Sequence, residues 1–316
     1  MAYDFEKHVF LRDVMGAYME QLGEKDNRVI VVNADLMGTC RNRKFCERFP
    51  ERSFNVGIAE QNLVSFSAGL AHEGFIPYAF TMAPFLTMRA CEQCRTDVAY
   101  GRLNVRLMGI YAGVSGGISG ATHWSTEDVA IMTGIPEMTV IEPCDGIQAQ
   151  KILDATLKIK GPVYIRSSVE PMASLYDESY SFELGKASVL KQGDDGVFIC
   201  AGVTVKYALK AAISIEKKIG KHIRVIDMHT IKPIDKQAII DATKTGCIVA
   251  AHDHNIYGGL GTQVAQVIAE NNLSCKSVNI GIPDKFVPMA HAPYLYRKFG
   301  YDSEGLEKNM LELLRK

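Results

Sequence analysis

Short apolar runs rich in β-branched residues recur along this chain, each separated from the next by a stretch with helical periodicity. Arg28 to Asn33 (RVIVVN) is the clearest, and so short a continuous run reads as a parallel strand covered on both faces. Before it, Val9, Val14, Tyr18 and Leu22 share one helical face, which predicts a helix over 7–22. The beat continues with predicted helix 60–74, strand 76–80, helix 84–99, strand 105–111, helix 126–134, strand 138–142, helix 146–158 and strand 162–167. Such alternation leaves few architectures, and the expected fold is α/β, a doubly wound parallel sheet with helices on both faces.

The pattern stops between Ser168 and Gly185, where Glu170-Pro171 and the polar stretch Tyr176-Asp177-Glu178-Ser179-Tyr180 offer no apolar face. The expected division is therefore 1–172, a linker at 173–185, and a smaller α/β domain at 186–316. Its predicted strands lie at 186–190, 196–201, 223–227, 246–251 and 275–280, and its helices at 204–218, 234–244, 259–270 and 303–315. A chain of 316 residues that is 47% hydrophobic can fill two such cores.

With 35 basic against 36 acidic residues the surface has no net field to hold nucleic acid. No apolar run approaches the ~18 residues that cross a bilayer. The first residues lack the basic-then-apolar order of a signal peptide, so a cytoplasmic location is expected. Several of the eight cysteines sit inside apolar runs such as Val197–Ala201, which reads as reduced, buried thiols. Cys91 and Cys94 form a C-x-x-C, but no second pair follows at a zinc spacing.

Three clusters could carry chemistry. In Asn55-Val56-Gly57-Ile58-Ala59-Glu60-Gln61-Asn62, a carboxylate opens a helix beside apolar residues. Burial there favours a share in proton transfer, while the same position also suits an acid that complements the helix dipole; spacing alone leaves both open. The second cluster, Tyr111 to Trp124, is a glycine-rich loop between a strand and a helix, carrying His123 and the only tryptophan. It hangs over the carboxyl edge of the sheet, where open α/β folds place ligands, and His123 is a candidate for proton transfer or hydroxyl binding. No Gly-Lys-Ser/Thr follows it, so it is not a phosphate loop of Walker type. The third, His252-Asp253-His254, precedes Gly-Gly-x-Gly, and backbone closure there is favoured over a metal.

Taken in order, these residues resemble the C-terminal half of a transketolase or of the related deoxyxylulose-5-phosphate synthase. The resemblance rests on G-I-A-E-Q-N at 57–62, F-L-x-x-R-A at 85–90, G-x-x-G-A-T-H at 117–123, I-P-E-M-x-V-I-x-P at 135–143 and G-G-L-G at 258–261. It implies a first domain that binds the aminopyrimidine of thiamine diphosphate and a second of largely structural role. The family's G-D-G motif with Asn-Asn about thirty residues on, which binds the diphosphate and Mg²⁺, has no match here: Asp145-Gly146 and Asn271-Asn272 are framed and spaced differently. The chain thus resembles the small subunit of a split transketolase. The implied partner is an N-terminal subunit carrying the pyrophosphate domain, in an α2β2 assembly acting on sugar phosphates.

The resemblance gives Glu60 the role of hydrogen-bonding the pyrimidine N1′, which favours the tautomer that accepts the cofactor's C2 proton. It lays Phe85, Met88 and Arg89 about the pyrimidine, and Asp35 and Leu36 beside the thiazolium. Arg12, Thr39 and Arg166 fall where relatives hold the substrate phosphate, and His123 where they contact donor hydroxyls. An aromatic ring suits a flat heterocycle and a planar fork suits a phosphate, although Phe85 also reads as core and Arg12 as a solvated helix residue. Two substrate positions depart from the family: Ser119 stands for an aspartate, Tyr111 for a histidine. Met88 replaces a second aromatic ring. An intact cofactor half beside an altered sugar half implies a specialised ketose or aldose. The rival expectations are the β subunit of a 2-oxoacid dehydrogenase, a synthase-like relative, and a non-catalytic scaffold, against which Glu60 and Phe85 argue.

Overall fold

The computed structural model describes residues 3–315. Its first half runs β1 (Asp4–Phe10), α1 (Leu11–Lys25), β2 (Val29–Asn33), α2 (Met37–Cys40), α3 (Arg43–Arg48), β3 (Ser53–Asn55), α4 (Glu60–His72) and β4 (Ile76–Met82). There follow α5 (Cys91–Gln93), β5 (Arg106–Ile110), α6 (Asp128–Gly134), β6 (Thr139–Ile141), α7 (Gly146–Thr156), β7 (Val163–Ser167) and β8 (Pro171–Ser174). The second half contains β9 (Ser188–Lys191), β10 (Gly196–Cys200), α8 (Thr204–Ile219), β11 (Ile223–Asp227), β12 (Thr230–Lys232), α9 (Lys236–Thr243) and β13 (Cys247–Asn255). It closes with α10 (Leu260–Glu270), β14 (Lys276–Ile282), α11 (Ala292–Phe299) and α12 (Ser303–Arg315).

The larger sheet has the order β12-β6-β7-β5-β4-β2-β3 and the smaller one β14-β13-β10-β11-β9. Both are parallel except at β12 and β9, which run antiparallel to their neighbours. In β2, Val29 and Val31 enter one core while Ile30 and Val32 enter the other, so the strand is covered on both faces, as its unbroken apolar run predicts. The carboxyl ends of β2, β4, β5 and β7 open on one edge, which gathers the loops discussed below.

Three expectations need correction. The predicted helix 7–22 begins only at Leu11, because His8, Val9 and Phe10 pair antiparallel with Ala173, Met172 and Pro171. The segment read as a polar linker is therefore anchored, and Tyr176 and Tyr180 within it are buried with ring centroids 4.0 Å apart. The predicted helix 84–99 is not one regular helix: α5 is flanked by wider π-type turns at Phe85–Arg89 and Cys94–Ala99. Such turns are concentrated at functional sites, where they re-aim side chains. The second half also lends β12 to the larger sheet, beside β6, so the two halves are joined through a sheet edge as well as by chain connection.

All eight cysteines are free thiols, and Cys94 donates to the Leu86 carbonyl inside the core. Among the described residues no helix is long and apolar enough to cross a membrane, and no group of side chains is arranged to hold a metal ion.

Candidate active site

Glu60 opens α4, its side chain only 5% exposed, with Ala59 in the cap position making no side-chain hydrogen bond. Its one side-chain partner is Arg89, whose Nη1 lies 3.5 and 3.4 Å from the two carboxylate oxygens. The guanidinium also rests 3.9 Å above the Phe85 ring, a cation–π contact. Phe85 meets His123 edge to face, ring centroids 5.5 Å apart, and Thr122 bonds the His123 Nδ1 at 2.8 Å. The π-type turn thus sets Phe85 beside Arg89, the glycine-rich loop delivers His123 to the Phe85 ring, and exposed Met88 lines a separate pocket with Trp124 and Thr126. An open cleft of about 610 Å³ lies over Ile58, Ala59, Glu60, Gln61, Asn62 and Arg89. A buried carboxylate with a single long-range partner, an aromatic ring and open space beside them fit a flat heterocycle that has a ring nitrogen to offer.

A second group forms where α1 meets the end of β5. Arg12, in the first turn of α1, donates from Nη1 to the Tyr111 hydroxyl at 3.4 Å, while its buried Nε has no hydrogen-bond partner. Helix α1 also packs closely on the end of α2, because residue 16 is glycine, where a Cβ would sit 2.3 Å from the Cys40 carbonyl oxygen. Thr39 lies on α2. Tyr111 holds a left-handed backbone, φ 63°, a strain that a bulky residue tolerates only where its surroundings impose it. Ser119 is exposed at the end of a short 3₁₀ turn.

Asp35 also takes φ 58°, its backbone N–H and Oδ1 paired with Asn55, with Leu36 half-buried next to it. Asn55, which opens the cluster around Glu60, also accepts the Gly57 N–H at 3.1 Å, so it ties that cluster to Asp35, a link that the sequence did not show.

Arg166 does not join these residues, contrary to the phosphate-binding expectation. Its side chain is 1% exposed, and its guanidinium is committed to Asp128 at 2.8 Å, Glu142 at 2.9 Å and the Asp253 carbonyl at 3.0 Å. Burial works against the charge on Asp128 and Glu142, but Arg166 overrides it and holds both carboxyls below their usual range. With two carboxylates against one cation, the charge of Arg166 is already balanced within the fold. The His252-Asp253-His254 segment completes this knot. His252 binds Glu142 through Nε2 at 2.7 Å and accepts the Leu260 N–H on Nδ1, while His254 Nε2 accepts the Ala130 N–H at 3.4 Å. Burial drives the His254 imidazole down to about 3, so it stays neutral. Each ring has a nitrogen taken by a backbone donor, so neither imidazole has both nitrogens free to serve as a ligand.

Two family models match: the transketolase pyrimidine-binding domain over residues 7–172 and the transketolase C-terminal domain over 185–306. The chain belongs to the transketolase family. It is 37% identical over 296 residues to a 6-deoxy-6-sulfo-D-fructose transketolase subunit of Clostridium sp. (strain MSTE9), covering 93% of this chain and 91% of that one. It is 36% identical over 298 residues to one of the subunits of an apulose-4-phosphate transketolase of Phocaeicola vulgatus, covering 94% and 95%. A solved split-gene transketolase, in an inactive beta4 tetramer, superposes with a TM-score of 0.87 at 33% identity, covering 98% of this chain and 99% of that one. As a transketolase-family chain it is the length of these separate subunits, and the relation favours neither a 2-oxoacid dehydrogenase β subunit nor a scaffold.

Proposed function

We propose that this chain is the pyrimidine-binding subunit of a two-polypeptide transketolase that moves a two-carbon ketol unit from a ketose to an aldose acceptor. The observation that carries the reading is the run of contacts from buried Glu60 to Arg89, from Arg89 to the Phe85 ring and from Phe85 to exposed His123, beside an open cleft over Glu60 and Arg89. Thiamine diphosphate, when bound, supplies the carbon nucleophile and electron sink for breaking and making the C–C bond. Glu60 would hold or release a proton at its carboxylate toward the pyrimidine, while Phe85 and Met88 would flank that ring and Arg89 would border it. Asp35 and Leu36 would border the thiazolium. His123 binds the donor's hydroxyls, and Arg12, Tyr111 and Thr39 receive its far end.

Diphosphate and Mg²⁺ fall mainly to an N-terminal partner subunit in an α2β2 assembly, since the sequence lacks the family's motif for them. The inactive state of the related beta4 tetramer supports dependence on that partner. The eight free thiols support a reducing, cytoplasmic setting.

Ser119 places a neutral hydroxyl where relatives read a donor hydroxyl with a carboxylate, and relatives named for a sulfosugar and for apulose 4-phosphate support a specialised donor. A charge-assisted hydrogen bond is worth about 1.5–3 kcal/mol, or roughly one to two powers of ten in selectivity. The test compares kcat/KM for common ketose phosphates and modified ketoses in the assembled enzyme, wild type and Ser119→Asp. The expected result is a modified donor preferred by the wild type, with the ratio shifted toward xylulose 5-phosphate in Ser119→Asp. Preference for xylulose 5-phosphate by both, with no ratio changed, would contradict the specialised-donor reading.

A further inference from the structure

The loop from Gly113 to Trp124, which carries Ser119 and His123, has one 3₁₀ turn at Gly117–Ser119 as its regular structure. Its shape therefore depends on what holds it from outside. The neck is closed by backbone bonds, Gly113 N–H to Ser125 O at 2.7 Å and Ser125 N–H to Tyr111 O at 3.3 Å. Beyond the neck, the Val169 N–H donates to Ser115 Oγ at 3.1 Å and His123 packs on Phe85, and further supports come from the second half of the chain. Asp253, near the end of β13 and 2% exposed, accepts two hydrogen bonds on Oδ1: the Val114 N–H at 3.0 Å and the Tyr301 hydroxyl at 2.9 Å. Gly113 bends around this carboxylate at φ 64°, and a Cβ there would stand 2.1 Å from Asp253 Oδ2. Farther along, Gly117 leans on the Ala290 backbone and Gly120 on the Met289 side chain. Past the loop, Asn255 N–H donates to Thr126 O at 2.8 Å. One short stretch of β13 thus holds the chain at both ends of the loop.

The geometry points to Asp253 as a positioning residue for ketol transfer: a carboxylate of the second domain that fixes the loop on which His123 meets the donor sugar. The inference rests on the reading of His123 given above and gives the second domain a part in substrate recognition. A carboxylate suits the task because one oxygen can accept a main-chain N–H and a phenol together, and both donors belong to buried residues whose hydrogen bonds would be costly to leave unmade. Glu60 and Phe85 make no hydrogen bond to Asp253, and the loop touches the proposed cofactor side only through His123 on Phe85, so the effect on cofactor affinity should be small.

The test uses the full chain carrying Asp253→Ala or Asp253→Asn. Hydrogen–deuterium exchange of the 113–124 peptide is measured in the isolated chain, and donor KM, kcat and thiamine diphosphate affinity in the assembled enzyme. In Asp253→Ala, loop exchange should rise about tenfold, donor KM should rise by a similar factor, and kcat should fall less. Cofactor affinity should hold within about twofold, as expected of a group acting through the loop alone. Asp253→Asn, which keeps an acceptor oxygen, should retain most of the loop protection. Loop exchange at the wild-type rate in Asp253→Ala, or exchange raised equally throughout the chain with no recovery in Asp253→Asn, would overturn the inference. Absence of ketol transfer in the wild-type assembly would instead defeat the assigned function, with loop exchange still deciding whether Asp253 holds the loop.

Discussion

Glu60→Gln should lower ketol transfer by the assembled enzyme about a hundredfold or more, the usual loss when a proton-sharing group is removed, while leaving the fold intact. Glutamine keeps the volume and one carbonyl oxygen, so packing at the start of α4 and contact with Arg89 survive; what goes is the capacity to share a proton. The competing role for this residue is structural. An acid in the first turn complements the helix dipole, and its neutralisation costs about 0.3–1 kcal/mol of stability without touching the chemistry. The two roles separate cleanly when the exchange rate of the cofactor's C2 proton and the melting temperature are measured together. Slow exchange with a near-normal melting temperature identifies Glu60 as the proton partner; near-normal exchange would mean that another carboxylate serves.

Arg166→Met should destabilise the chain by about 3–5 kcal/mol, the range for removing one member of a buried ion pair. Methionine fills much of the space but leaves Asp128 and Glu142 buried without their cation. In the wild type both carboxyls are held below their usual range, so their favourable contribution is complete above the ordinary carboxylate value near pH 4 and is lost as pH falls through the depressed folded-state values. Without Arg166, burial alone governs them and their folded-state values rise, so stability at neutral pH falls and improves as pH is lowered and they take up protons. Denaturant midpoints measured between pH 4 and 8 check both the size and the reversed slope. A stable Arg166→Met variant whose only defect is a raised KM for phosphorylated donors would restore the phosphate-binding role.

Much of the architecture was legible because the signals are local. An unbroken run such as Val29–Val32 has to be covered on both faces, and the structure splits it between two cores. The readings that needed correction all depend on partners distant in sequence. Val9 has helical spacing with Val14, Tyr18 and Leu22, yet it pairs with Met172 on β8, which follows β7 in the chain. Tyr176 and Tyr180 sit in a polar run, and Tyr176 is buried because Asp227, on β11, accepts its hydroxyl at 2.8 Å. For Arg166 the residue type was right for a phosphate, but its surroundings include Glu142 from the end of β6 and Asp128 from α6. Glu60 and Phe85 were legible through the order of short motifs; Asp253 was not, because its meaning comes from Val114 and Tyr301, which no spacing connects to it.

The central claim is that this chain supplies the pyrimidine half of a divided thiamine-diphosphate site. The direct measurement is ketol transfer by the purified chain with thiamine diphosphate and Mg²⁺, alone and titrated with a polypeptide carrying the family's pyrophosphate domain. The account predicts no turnover alone and activity that rises with the partner to a plateau at equal subunit amounts. Steady turnover by this chain without a partner would contradict it.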